Sequence, residues 1–102
     1  VETTTSVKEI SDDIPISFLL DQNYPNPFNP NTTIQFVLPY SGYVTLKIYN
    51  ALGEEMTTLV TKNLSAGKHQ VVWEAKGMVS GIYFYRLQAA DFVQTRKLVF
   101  MR

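Results

Sequence analysis

From Ile16 onward the chain is a succession of short runs in which apolar and polar residues alternate, with turn residues every eight to twelve positions or so. Helical spacing never persists for three turns. ISFLLDQN (16–23) is the first apolar run. In TTIQFVLP (32–39), Ile34, Phe36 and Leu38 share one face and Gln35 takes the other. YVTLKIYN (43–50) sets Val44, Leu46 and Ile48 against Thr45, Lys47 and Tyr49. EEMTTLVTKNL (54–64) is the weakest run and reads as an edge strand. HQVVWEA (69–75) alternates His69, Val71 and Trp73 with Gln70, Val72 and Glu74, which makes Trp73 a core residue. IYFYRLQA (82–89) puts Tyr83, Tyr85 and Leu87 on one face, and FVQTRKLVFMR (92–102) points Leu98 and Phe100 inward. Seven strands joined by short connections pair antiparallel, because a parallel crossover needs about a dozen linking residues or more. The expected fold is all-β, an immunoglobulin-like antiparallel β-sandwich of about seven strands.

The turns carry their own chemistry. Asn50 can cap the NALGEE turn (50–55), and Gly53 can take the left-handed conformation that closes a bulged hairpin. YSG (40–42), SAGK (65–68) and GMVSG (77–81) supply further turns, and the last hairpin closes on AAD (89–91). Ahead of the strands, VETTTSVKEISDDIP is rich in Thr, Ser and acids and has no period, so residues 1–17 read as a linker to a preceding cargo domain. A chain that starts at Val1 without a signal peptide reads as a piece of a longer precursor.

At 102 residues the folded part is a single domain of residues 18–102. Hydrophobic residues make up 45% and charged residues 18%, a globular balance, and no run of eighteen apolar residues offers a membrane helix. The absence of cysteine removes disulfides, thiol catalysis and thiolate metal sites together. Net charge is zero but uneven. Glu2, Glu9, Asp12 and Asp13 oppose Lys8 at the head, while Arg86, Arg96, Lys97 and Arg102 oppose Asp91 at the tail. Four cations without clustered neighbours make a poor nucleic-acid footprint.

Catalytic, cofactor and metal residues are expected to number none. His69, the only histidine, starts a strand and suits packing beside a turn better than a catalytic triad. Glu54 and Glu55 lie in a hairpin and diverge; Asp12 and Asp13 lie in the linker. Asn26 and Asn29 could offer oxygens to calcium, but no acid lies between residues 22 and 46. Aromatics at 13% admit an alternative, a carbohydrate-binding module with Tyr40, Tyr43, Tyr49 and Phe84 in an exposed row; cross-strand aromatic pairs are also ordinary sheet stabilisers.

NYPNPFNP (23–30) holds three prolines and three asparagines. Tyr24, Asn26 and Asn29 each precede a proline and are pushed to extended conformations. The segment reads as a stiff corner, with Tyr24 and Phe28 plugging the end of the sandwich.

The order YPNPFNPNTTIQF, VTLKIYNALGEEMTTLV, LSAGKHQVVWEAKGMVSGIYFYRL, FVQTRKLVFMR resembles the type A C-terminal sorting domain of the type IX secretion system of Bacteroidota and related bacteria. The family's motif positions fall on Pro25, Asn26, Pro27 and Phe28, on Gly53, on Gly67, His69 and Trp73, on Gly81 and Tyr83, and on Lys97. Arg96, Leu98 and Phe100 join Lys97 in the last strand, which the resemblance implies matters most for export. The resemblance also implies a C-terminal signal that passes a cargo through the periplasm to the cell surface or beyond. Its partners would be an outer-membrane translocon and a sortase-like protease that cuts in the linker. No cofactor is implied. A weak homodimer through the 54–64 edge and a free last strand is a further expectation. Ala90 departs from the pattern where the final hairpin usually has glycine, which implies another turn geometry; Glu74 and Lys76 also depart.

Overall fold

A computed structural model describes residues 17–102, and within them it contains seven strands and no helix. These are β1 (Leu19–Leu20), β2 (Asn31–Leu38), β3 (Gly42–Asn50), β4 (Glu55–Leu64), β5 (Gly67–Glu74), β6 (Gly81–Ala89) and β7 (Phe92–Phe100). They form a three-stranded sheet in the order β1-β2-β5 and a four-stranded sheet in the order β4-β3-β6-β7, with every ladder antiparallel. All but Ser17 of the linker reading lies outside the described residues.

The period of two decides which side chains fill the space between the sheets. Ile34, Phe36 and Leu38 from β2 meet Val44, Leu46 and Ile48 from β3, and Tyr83, Tyr85 and Leu87 from β6. Leu98 and Phe100 close the layer from β7, and Trp73 from β5, all five groups buried as their alternation implies. Each large apolar side chain sealed in this way contributes about 1.5–3 kcal/mol. His69 stacks on Phe36 at 5.5 Å, and its Nε2 sits 2.7 Å from the Ser65 carbonyl, the packing role its position suggested.

The edges depart from the simple pattern. Beside β3, the register of β4 slips between Leu46 and Lys47 and again between Ile48 and Tyr49, leaving Leu59 and Met56 as the extra residues of two bulges. β4 is the edge strand expected, but bulges of this kind twist an edge away from flat pairing with another chain. At the β3–β4 hairpin, Asn50 Oδ1 accepts from the amides of Leu52 and Glu54, and Gly53 holds a φ of 84°.

The β6–β7 hairpin corrects one expectation. Ala90 does not change the turn geometry; it adopts the left-handed conformation itself, at φ 52°. Crowding of Cβ against the carbonyl makes that conformation cost about 1–2 kcal/mol for a residue other than glycine. Ala90→Gly is therefore expected to raise stability by about 1 kcal/mol, read as a higher urea midpoint at unchanged slope.

Candidate functional site

The proline segment and the last strand form one structure. Chain direction from Leu20 to Phe28 runs parallel to β7 along its outer edge. Arg96 Nε donates to the Leu20 carbonyl, and Gln22 Nε2 donates to the Lys97 carbonyl at 2.7 Å. The Val99 amide donates to Asn26 Oδ1 at 2.9 Å. Phe28 then completes the seam with its backbone: its amide donates to Val99 O and its carbonyl accepts from the Met101 amide, both at 3.0 Å. Arg102 ends the run by donating from its amide to Ser80 Oγ at 2.9 Å. The Phe28–Phe100 bridge is parallel, an addition to the all-antiparallel expectation. It also corrects the idea of a free last strand, since residues 97–101 spend their edge groups on the seam.

Phe28 is 2% exposed and plugs the sandwich end as expected, its ring 5.5 Å from Trp73 and 5.2 Å from Phe100. Tyr83 meets the edge of Trp73 at 5.8 Å and donates its hydroxyl to the Val79 carbonyl. Tyr24 does not plug the end. It bridges Thr33 as a short extension of the sheet, so the alternation turns its neighbour Asn23 inward and leaves Tyr24 79% exposed. All three X-Pro bonds of the segment are cis.

Asn23, missed in the sequence, is the polar centre of this corner. Its Nδ2 donates to Thr32 Oγ1 at 2.9 Å and to the Pro25 carbonyl at 3.1 Å, and Thr32 Oγ1 donates to the same carbonyl. The Tyr85 hydroxyl accepts from the Asn23 amide at 2.8 Å and donates to the Asp21 carbonyl. A tyrosine that ties its strand to a distant corner by its hydroxyl is a recurrent device of immunoglobulin-like sandwiches. Asn26 Oδ1, offered in sequence as a calcium ligand, is taken by the Val99 amide.

Burial pushes the Tyr85 phenol up to about 12 from 10.0, against the opposing pull of the Asn23 hydrogen bond and the Arg96 charge. A phenol raised in the folded state stabilises fully below the unfolded value and loses that contribution as pH climbs through the folded one. Stability is expected to hold up to about pH 9 and to fall by about 2–3 kcal/mol between pH 10 and 12. Tyr85→Phe should flatten that window in urea titrations, from a baseline about 1–3 kcal/mol lower because the Asn23 amide loses its partner.

Of the motif residues, Pro25, Asn26, Pro27, Phe28, Arg96, Lys97, Leu98 and Phe100 meet at the seam, with Tyr83 and Trp73 beneath it and Gly81 opposite Phe100 in the β6–β7 ladder. Gly53 belongs to a separate hairpin. Gly67, at φ 125°, pairs with Leu38 at the other end of β5 from Trp73. Leu98 and Phe100 are core; Lys97 is exposed.

The model of the family described as "Secretion system C-terminal sorting domain" matches residues 22–101. The chain belongs to that family. Its matched span opens on Gln22, which bonds Lys97 near one end of the seam, and closes on Met101, which bonds Phe28 near the other. The family is one of sorting signals, not a family of enzymes, and a type IX sorting domain marks a cargo for the cell surface or for release. No curated protein shows a match to the chain.

Proposed function

We propose that this sorting domain takes an N-terminal cargo across the outer membrane, and that the secretion machinery reads its folded seam rather than a linear tail. The observation that carries this reading is the parallel seam itself. It joins the proline motif at 25–28 and the last strand at 96–100 into one surface with Lys97 exposed on it. The cargo passes through the periplasm, an outer-membrane translocon binds the seam and the neighbouring outer face of β7, and a sortase-like protease cuts in residues 1–17. The edge of β7 that the seam leaves uncovered, at Val93 and Thr95, suits strand addition by the translocon.

The test fuses the 102-residue chain to a fluorescent reporter behind a general secretory signal peptide, in a host with a working type IX system and in one without its translocon. The reporter should leave the first cell and stay in the periplasm of the second, and intact-mass analysis should find a cut before residue 18. Lys97→Glu, on an exposed side chain, should cut export several-fold while the domain unfolds at the same urea concentration as the parent. Full export of that variant would refute recognition at the seam.

A further inference from the structure

We propose that a trough across the outer face of the three-stranded sheet binds a neutral oligosaccharide, with Tyr24 as stacking platform and Gln35 and Gln70 as the amides that read its hydroxyls. This inference is independent of the sorting role. Two hollows of about 510 and 430 Å³ share Asp21, Gln35 and Gln70, and so form one continuous depression. Both volumes fall in the range of roughly 300–1,000 Å³ typical of small-molecule sites. Tyr24 stands at one end, Leu19 and Lys68 at the other. The β2 partners of Tyr24 and Leu19, Thr33 and Val37, lie four strand steps apart, about 13 Å at the strand rise, room for a short chain of sugars rather than one.

The lining has saccharide chemistry. The Tyr24 ring is 79% exposed, and among the described residues its side chain has no hydrogen-bond, aromatic or cationic partner. Its backbone is fixed on both sides: its amide donates to Thr33 O at 3.0 Å and its carbonyl accepts from Thr33 N at 2.9 Å. A rigid aromatic with two side-chain torsions gives contact area at little entropic cost. Gln35 Nε2 donates to Gln70 Oε1 at 3.2 Å, which holds the two amides side by side. Gln35 Oε1 and the Gln70 amino group remain to accept from and donate to adjacent hydroxyls. The Asp21 carboxylate adds an acceptor and the Lys68 ammonium a donor.

The opposite face, where the aromatic row was expected, is engaged with itself. Arg86 lies 4.9 Å over the Tyr49 ring, and Tyr43 Oη is 2.6 Å from Thr61 Oγ1. Tyr49 and Phe84 are half-buried. Tyr43 stays 57% exposed beside Thr61, and Tyr40, also 57% exposed, meets Phe18 at 5.4 Å; Tyr24, at 79%, is the most exposed of these rings and lies on the other sheet.

The experiment titrates the isotopically labelled 102-residue chain with cellohexaose, maltohexaose and mannohexaose at millimolar concentration and follows side-chain amide resonances. At least one of the three should shift the Gln35 and Gln70 amide signals, with backbone shifts confined to β1, β2, β5 and residues 21–24. Tyr24→Ala and Gln70→Ala, both at exposed positions, should each weaken binding roughly tenfold, whereas Tyr43→Ala on the far face should leave it unchanged. A backbone spectrum like the parent's establishes that each variant is folded. No shift with any of the three sugars, shifts centred on Tyr43 and Tyr49, or undiminished binding by Tyr24→Ala would each overturn the assignment.

Discussion

A chain lacking residues 93–102 is expected to show no cooperative unfolding transition at all. The deletion removes Leu98 and Phe100 from the core and strips β6 of its neighbour along its whole length. It also unpairs Phe28, Asn26, Gln22 and the Leu20 carbonyl, which face β7. Two buried large side chains account for several kcal/mol, and a domain of this size holds only about 5–15 kcal/mol in total. Near-ultraviolet circular dichroism and a urea titration check this: a flat aromatic spectrum is expected, and a sigmoidal transition would contradict it. Export would fail with the fold, so the truncation cannot separate a signal read as a sequence from one read as a shape. Lys97→Glu can, because its side chain lies outside the core.

Phe28→Ala is expected to cost about 3–5 kcal/mol, the range for truncating a buried phenylalanine where the surroundings cannot collapse. The ring is wedged between Trp73 and Phe100, on a backbone already pinned to β7 at both its amide and its carbonyl. That pinning keeps the chain from closing over the hole. The loss should appear as a fall in urea midpoint, with export declining in proportion to the unfolded fraction. Phe28→Leu, which keeps most of the volume, should cost less than about 1.5 kcal/mol. An equal loss in both variants would mean that the seam, not the packed ring, depends on the aromatic.

The strands were legible because each repeats the period of two long enough to choose a face. Ile34, Phe36 and Leu38, or Tyr83, Tyr85 and Leu87, need nothing beyond themselves to mark the core side. Legibility failed where one residue breaks the period. Tyr24 reads as apolar and therefore inward, yet the bridge to Thr33 gives the inward position to Asn23, whose amide satisfies two oxygens no apolar side chain could. The bulges at Leu59 and Met56 were hidden in a threonine-rich run with little alternation to interrupt. At Ala90 the turn length between β6 and β7 overrode the residue's own preference. The seam was invisible for another reason. Its pairs lie more than seventy residues apart, and a single sequence carries no local mark of such a partner.

That separation has a consequence for a chain made from its N-terminus. The first segment of the domain stays open until the final residues have been synthesised, since Gln22, Asn26 and Phe28 find their partners only at Lys97, Val99 and Met101. Contacts this distant form late and slowly. A product cut short before Lys97 by premature termination or proteolysis carries every earlier strand but never closes. The domain thus checks its own synthesis: only a polypeptide extended through Met101 can display the finished surface.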